Sequence, residues 1–163
     1  MRGAILPRAP SPAVPADRLL GEGLALEKGL ALYDPADRLS YAELLPNDPL
    51  VTMWSHSSWL LACFGNLDQA LLRSAAALDE ARRLSHPHTL AMALAAGWWT
   101  GQFVRLEPGS LLQYADEQLA LTVEHGLGLF RAMALVWRGW CLAALGRADD
   151  GIPLNSRRLG PLG

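Results

Sequence analysis

Trp59-Leu60-Leu61-Ala62-Cys63-Phe64-Gly65-Asn66-Leu67-Asp68-Gln69-Ala70 reads in parallel with Trp140-Cys141-Leu142-Ala143-Ala144-Leu145-Gly146-Arg147-Ala148-Asp149-Asp150-Gly151. The glycine, the acidic residue and the small residue fall at the same offsets from the tryptophan. Between the two, Trp99 opens a looser copy with one extra residue, running through Glu107-Pro108-Gly109 to Leu111. The three tryptophans are 40 and 41 residues apart. A period near 40 in helical sequence predicts a stacked α-solenoid, in which each helix pair buries its apolar face against its neighbours. Such an architecture favours binding or scaffolding over catalysis.

Working outward, the breakers and caps divide the chain into helices. Asp17 is a candidate cap for a helix over 17–33 with Leu20, Leu24, Leu26 and Leu30, stopped by Asp34-Pro35. Residues 34–48 read as a linker with one short turn near Tyr41–Leu45. Asp48 caps the next helix with Pro49 at its first position, where a missing N–H costs nothing. That helix runs to Phe64 and turns at Gly65-Asn66, and Asp68 starts its partner, which ends near Leu84 before His86-Pro87. A middle pair follows at 88–104 and 109–125. A third first helix spans 129–145 and stops at Gly146. The first helix of each pair carries almost no charge; the second is amphipathic. The first helices are therefore expected to be enclosed or to line a sheltered concave surface.

Both ends depart from the pattern. Prolines at 7, 10, 12 and 15 make 1–16 a flexible, Pro-rich leader, and Pro7, Arg8 and Pro10 interrupt any export signal. The repeat domain is expected over 17–152, with an irregular tail at 153–163. Pro153 falls in the first turns of the third second helix, where it lacks a donor and clashes. No polar cap is visible at either end, so the solenoid is expected to be incomplete at both, either a piece of a longer one or a truncated version of one. An exposed apolar face near Leu135, Leu142 and Leu145 would then promote self-association.

Composition limits the functional classes. In 163 residues, 51% are hydrophobic and 18% charged, with a net charge of −2. That balance offers no electrostatic reason to bind nucleic acid or anionic lipid. Two uncharged runs, 49–67 and 84–104, hold too many polar residues to be membrane spans. The two cysteines, Cys63 and Cys141, are expected as free thiols in a reducing cytoplasm. No cofactor or metal is expected: His86 and His88 lack the further ligands that zinc requires, and Gly126-Leu127-Gly128 reads as a turn between helices. His56, His125 and the serines at 55, 57 and 58 show no partner of the kind nucleophilic catalysis needs.

The pattern resembles a tetratricopeptide repeat. Lys28-Gly29-Leu30-Ala31-Leu32-Tyr33-Asp34-Pro35 looks like the end of one unit, and Gly65, Leu67, Ala70, Ala77, Leu78 and Pro87 fit the turn, second helix and closing proline of the next. The spacing exceeds the usual 34 residues, which implies lengthened, divergent units. A narrower resemblance, over roughly residues 20–152, is to the repeat region of bacterial multidomain signalling proteins that carry a nucleotide cyclase or transcription-activator domain and a STAND-type ATPase. It rests on Leu32-Tyr33, Tyr41, Asp48-Pro49, Trp59, Gly65, Leu67 through Leu71, Ala77-Leu78, Ala81, Leu84-Ser85-His86-Pro87 and Leu90-Ala91. None of the cyclase or ATPase motifs stands in this sequence.

These readings give an all-α, tetratricopeptide-like α-solenoid of antiparallel helix pairs, not an enzyme. Its expected role is a cytoplasmic interaction or scaffolding module that binds a protein segment or neighbouring domain of a larger signalling protein. The expected partner groove comprises Thr52, Ser55, His56, Trp59, Met92, Trp99, Gln102, Met133 and Trp140, with tryptophan suited to anchor a partner through its area and its N–H. Its low charge argues against recognition of acidic tails through Lys and Arg clamps. The alternative is a small ligand-binding or enzymatic helical domain using a Trp/His-lined interior.

Overall fold

Asp48 does three things at once. Its carboxylate accepts from Val51 N at 3.0 Å and caps a helix; it pairs with Arg38 at 2.7 Å; and its own N–H donates to Thr89 Oγ1 at 3.0 Å. The computed structural model describes residues 16–150, in which all regular structure is helical. The helices are α1 (Ala16–Leu32), α2 (Arg38–Leu44), α3 (Pro49–Cys63), α4 (Leu67–Leu84), α5 (Pro87–Phe103), α6 (Pro108–His125) and α7 (Gly128–Ala144), with a single 3-10 turn at Pro35–Asp37. The leader before Ala16 and the tail at 153–163 lie outside the described residues, as does Pro153. Helical geometry resumes at 148–150 after the turn at Gly146. Among the described residues no helix is long and apolar enough to cross a membrane.

Local chemistry explains the boundaries. Pro49, Pro87 and Pro108 each occupy a first-turn position, where their missing N–H is harmless. His86 Nδ1 accepts from Thr89 N at 3.3 Å and caps α5. Asp17 does not cap α1; it stands inside the first turn, which begins one residue earlier, where its charge still suits the helix dipole. The linker is more ordered than one turn near Tyr41. Asp34 accepts from Ala36 N at 2.8 Å to start the 3-10 turn, and α2 follows directly. Arg38 then ties the linker to the body through Asp48 and through Glu80 at 2.6 Å. Hydrogen bonds from Arg83 and Arg38 pull the Glu80 carboxyl down to about 2, against the opposing effect of burial.

The three first helices end in the same way. Gly65 N bonds Ala62 O and Asn66 N bonds Leu61 O; Arg105 N bonds Gln102 O and Leu106 N bonds Gly101 O; Gly146 N bonds Ala143 O and Arg147 N bonds Leu142 O. This paired closure needs a left-handed residue. Gly65 (φ 82°) and Gly146 (φ 75°) supply it freely, whereas the middle copy uses Arg105 (φ 56°). The middle copy therefore keeps the turn and places its extra residue just after it. A left-handed non-glycine residue costs about 1–2 kcal/mol, and glycine loses roughly 0.5–1 kcal/mol in chain entropy. Arg105→Gly is thus expected to raise stability by about 0.5–1 kcal/mol in urea unfolding; a loss would contradict this account of the turn.

Each helix from α3 to α7 packs on the next, and α3 and α7 also pack on α5, which lies at the centre. One core unites Val51 of α3, Ala77, Leu78 and Ala81 of α4, and Ala93 and Leu94 of α5. A second unites Ala95 and Trp98 of α5, Leu111 and Ala115 of α6, and Trp137 and Cys141 of α7. The small residues let backbones approach closely. Buried hydrogen bonds then fix register: Ser58 Oγ donates to Ser55 O at 2.7 Å and accepts from Thr100 Oγ1 at 2.9 Å, joining α3 to α5. Gln118 Nε2 donates to Ala91 O at 3.1 Å, joining α6 to α5.

The exposed apolar face of α7 differs from the expected one. Leu135 and Leu142 are buried, 8% and 1% exposed; of the three leucines named, Leu145 alone is open at 43%. α6 packs along α7, and Arg138, which lies between Leu135 and Leu142 at helical spacing, pairs with Asp116 of α6 at 2.6 Å. The exposed stripe is instead Leu129, Val136 and Trp140, at helical spacing on another side of α7.

Candidate functional site: an aromatic cleft along the first helices

Trp59 of α3 and Trp99 of α5 sit on the walls of one cleft of about 510 Å³. Its lining also includes Ser55 and His56 of α3, Met92, Ala95, Ala96 and Phe103 of α5, and Phe130 and Met133 of α7. No side chain of that lining belongs to Asp, Glu, Lys or Arg. Aromatic rings and thioethers thus form the walls, a combination that adapts to apolar and aromatic occupants. The ring of Phe103 meets that of Trp59 edge-on at 6.4 Å. His88, whose Nδ1–H donates to Asn47 Oδ1 at 2.6 Å, meets Phe130 edge-on at 5.2 Å and steadies that end of the cleft.

Six of the nine expected groove residues line this cleft: Ser55, His56, Trp59, Met92, Trp99 and Met133. Gln102 and Trp140 do not. With Trp98, Val136 and Trp137 they line an adjoining cleft of about 500 Å³, which shares Trp99 and Phe103 with the first. The three repeat tryptophans therefore span two neighbouring clefts rather than one ladder. Thr52 lines neither; its hydroxyl donates to Asp48 O at 2.8 Å. Met92 and Met133, 41 residues apart, are equivalent positions on α5 and α7, and Thr52 is their counterpart on α3.

The second cleft rests on a tryptophan cluster. Trp98 and Trp137 stack face to face, centroids 4.7 Å apart and 8° from parallel. Trp99 meets Trp137 edge-on at 6.1 Å, and Trp140 meets Trp98 edge-on at 6.0 Å. The inner pair is buried, at 5% and 6% exposure, while Trp99 and Trp140 are open at 47% and 46%. Two rings are thus structural and two are presented.

The polar groups at the first cleft are few and specific. His56 Nδ1–H donates to the Thr52 carbonyl at 2.8 Å, which leaves Nε2 as a free acceptor in the neutral ring. His56 and Trp59 also form the partition to a third cleft of about 340 Å³ beside α1, where Glu22 stands. Ser55 is 1% exposed, and its hydroxyl has no hydrogen-bond partner among the described residues.

The other candidates for chemistry are engaged elsewhere. His86 caps α5 and His88 is held by Asn47. Among the described residues no three His, Cys, Asp or Glu side chains gather as a metal site would require. Cys63 and Cys141 are free thiols. Burial pushes both up, and at Cys141 the Trp98 indole partly offsets this. That is opposite to the shift that activates a cysteine nucleophile.

Compared with known proteins, the chain matches no family model, no curated protein and no solved structure.

Proposed function

We propose that this chain is a tetratricopeptide-like α-solenoid module of the cytoplasm that binds an apolar protein segment without catalysis, as its resemblance to the repeat regions of bacterial signalling proteins implies. Two features support the solenoid. The same two-bond turn closes α3, α5 and α7 at 40- and 41-residue spacing. Gly29 of α1 lies against Met53 of α3, and Met53 is the counterpart of Ala93, which packs with α4 in the first core. α1 therefore takes toward α3 the place that α4 takes toward α5.

The observation that carries the binding role is the uncharged cleft between equivalent tryptophans on adjacent first helices. Open apolar area of this kind is what a partner's side chains displace water from. Panning a phage-displayed peptide library on the full chain tests it. Apolar segments should be enriched, and their binding should fall sharply on the Trp59→Ala, Trp99→Ala double variant. Absence of enrichment, or binding indifferent to both changes, sinks the reading. The exposed Leu129, Val136 and Trp140 stripe offers a route to self-association that competes with other partners.

One observation favours a second reading, a small-molecule site. The cleft volume falls within the range of roughly 300–1,000 Å³ typical of ligand pockets, and a buried hydroxyl and an imidazole stand at its wall. Enrichment of no peptide alongside tight binding of a small aromatic compound would select it.

A further inference from the structure

We infer that this chain assembles head to tail: α7 of one copy seats between α1 and α3 of a second copy, so that the repeat runs on from one chain into the next. This rests on the solenoid reading above and names the partner of its open face.

The first observation is one helical stripe that recurs three times with different burial. On α3 it is Val51, Ser55, Ser58 and Ala62, all buried. Forty residues on, along α5, it is Ala91, Ala95, Trp98 and Gln102, the first three buried. A further 41 residues on, along α7, it is Ala132, Val136, Gly139 and Ala143. There Ala132 and Ala143 are exposed and Val136 is 60% open, against 7% for its counterpart Ala95. Where the stripe is buried, the cover is the next second helix together with the next first helix. Val51 shares a core with Ala77 of α4 and Ala93 of α5. Ala95 and Trp98 share one with Leu111 and Ala115 of α6 and with Trp137 and Cys141 of α7. On α7 the stripe stands open among the described residues.

The second observation is a matching seat. α1 and α3 are a second helix followed by a first helix, packed on each other. They border the cleft of about 340 Å³, which Ala25 and Leu26 of α1 line with Met53, His56 and Leu60 of α3. The α5 counterparts of those three α3 residues are Ala93, Ala96 and Thr100, and the α7 counterparts are Ala134, Trp137 and Cys141. Thr100 bonds Ser58 of α3 at 2.9 Å, and Trp137 and Cys141 pack with Ala95 and Trp98 of α5. This face thus meets the preceding first helix on α5 and on α7, whereas on α3 it borders an open cleft. The stripe without its cover and the seat without its helix complement each other in the same register.

The third observation is chemistry. The α7 stripe is uncharged, and its Ala and Gly residues allow close approach, as Ala91 and Ala95 do on α5. Of the seat's lining, Glu22 and His56 alone are ionisable, and Glu22 keeps Arg18 as its partner at 3.4 Å. Joining the two faces removes apolar surface from water. Because the contact links two different patches, it does not close on itself and adds copies in a row.

The test is sedimentation of the full chain and of two variants at exposed positions, Val136→Asp on the stripe and Ala25→Asp in the seat. The wild-type mass should pass that of a dimer as concentration rises to about 1 mM, a range that registers dissociation constants down from about 1 mM. Each variant alone should associate at least about tenfold more weakly, since an unpaired carboxylate is carried into an apolar contact. An equal mixture should form a 1:1 heterodimer with wild-type affinity and nothing larger, because Ala25→Asp keeps its stripe and Val136→Asp keeps its seat. A wild-type chain that stays monomeric, or stops at a dimer, overturns the inference whether or not the variants fold. Ala25→Asp dimerising as well as wild type also overturns it, because α7 then pairs with α7, as does a mixture no larger than its components. Segment binding is measured in parallel on Val136→Asp, whose substitution lies outside the first cleft. Segments bound there without assembly of the wild-type chain leave the proposed function standing and sink the head-to-tail contact alone; assembly without any bound segment does the reverse.

Discussion

Trp137→Ala is expected to lower the free energy of unfolding by about 3–5 kcal/mol, the range for deleting a large buried aromatic. Small domains hold roughly 5–15 kcal/mol in total, so this one change removes much of the margin. Trp137 is 6% exposed and stacks on Trp98 at 4.7 Å. It also shares the second core with Leu111, Ala115 and Cys141. Truncation leaves a cavity that α7 cannot close without leaving α6. Trp140→Ala, three residues on but 46% exposed, should cost about 1 kcal/mol or less. Urea unfolding of both variants checks the pair. Equal costs would mean that the stack does not hold α5 to α7.

Trp99→Ala is expected to weaken binding of library-selected segments by about 30- to 100-fold, the loss of a central aromatic anchor. Trp99 is 47% exposed and belongs to both adjoining clefts. Its removal should change stability much less than removal of Trp137, since its ring contributes edge contacts rather than core. Trp140→Ala should leave binding in the first cleft nearly unchanged, because Trp140 lines only the second. Titration of a labelled segment against the three proteins measures this. A Trp140 effect as large as that of Trp99 would place the segment in the other cleft.

Much of this was written in local sequence chemistry. Asp48-Pro49, His86-Pro87 and the glycines at 65, 126 and 146 mark helix ends directly, so six of the helices fall within about one residue of their expected bounds. The turn at Arg105 was hidden because its left-handed residue is not glycine; only its offset from Trp99 betrays it. Leu135 and Leu142 read as exposed because their cover was sought in a later helix, whereas both are buried among the described residues, with α7 packed on α6 and α5.

The site was partly legible. Phe103 lies four residues after Trp99, and Phe130 three before Met133, so helical spacing put both on the faces already singled out. Thr52 occupies the methionine register, but its short side chain turns back to the Asp48 carbonyl. The Trp98–Trp137 stack was not legible from the repeat. Counting by 41, Trp137 corresponds to Ala96 and Trp98 to Gly139. The pair joins non-equivalent positions across two helices, and the rings meet only where α7 packs on α5.

The central claim is that equivalent positions on adjacent first helices form one binding cleft. Its most direct test is the indole N–H spectrum of the six tryptophans during titration with a selected segment. Trp54 is the internal control, since it lines a separate cleft with Leu61, Gln69 and Leu72 on the side of α4. The expected result is saturable shifts at Trp59 and Trp99 with Trp54 unmoved. Shifts centred on Trp54, or none at Trp59 and Trp99 while the segment binds, would contradict it.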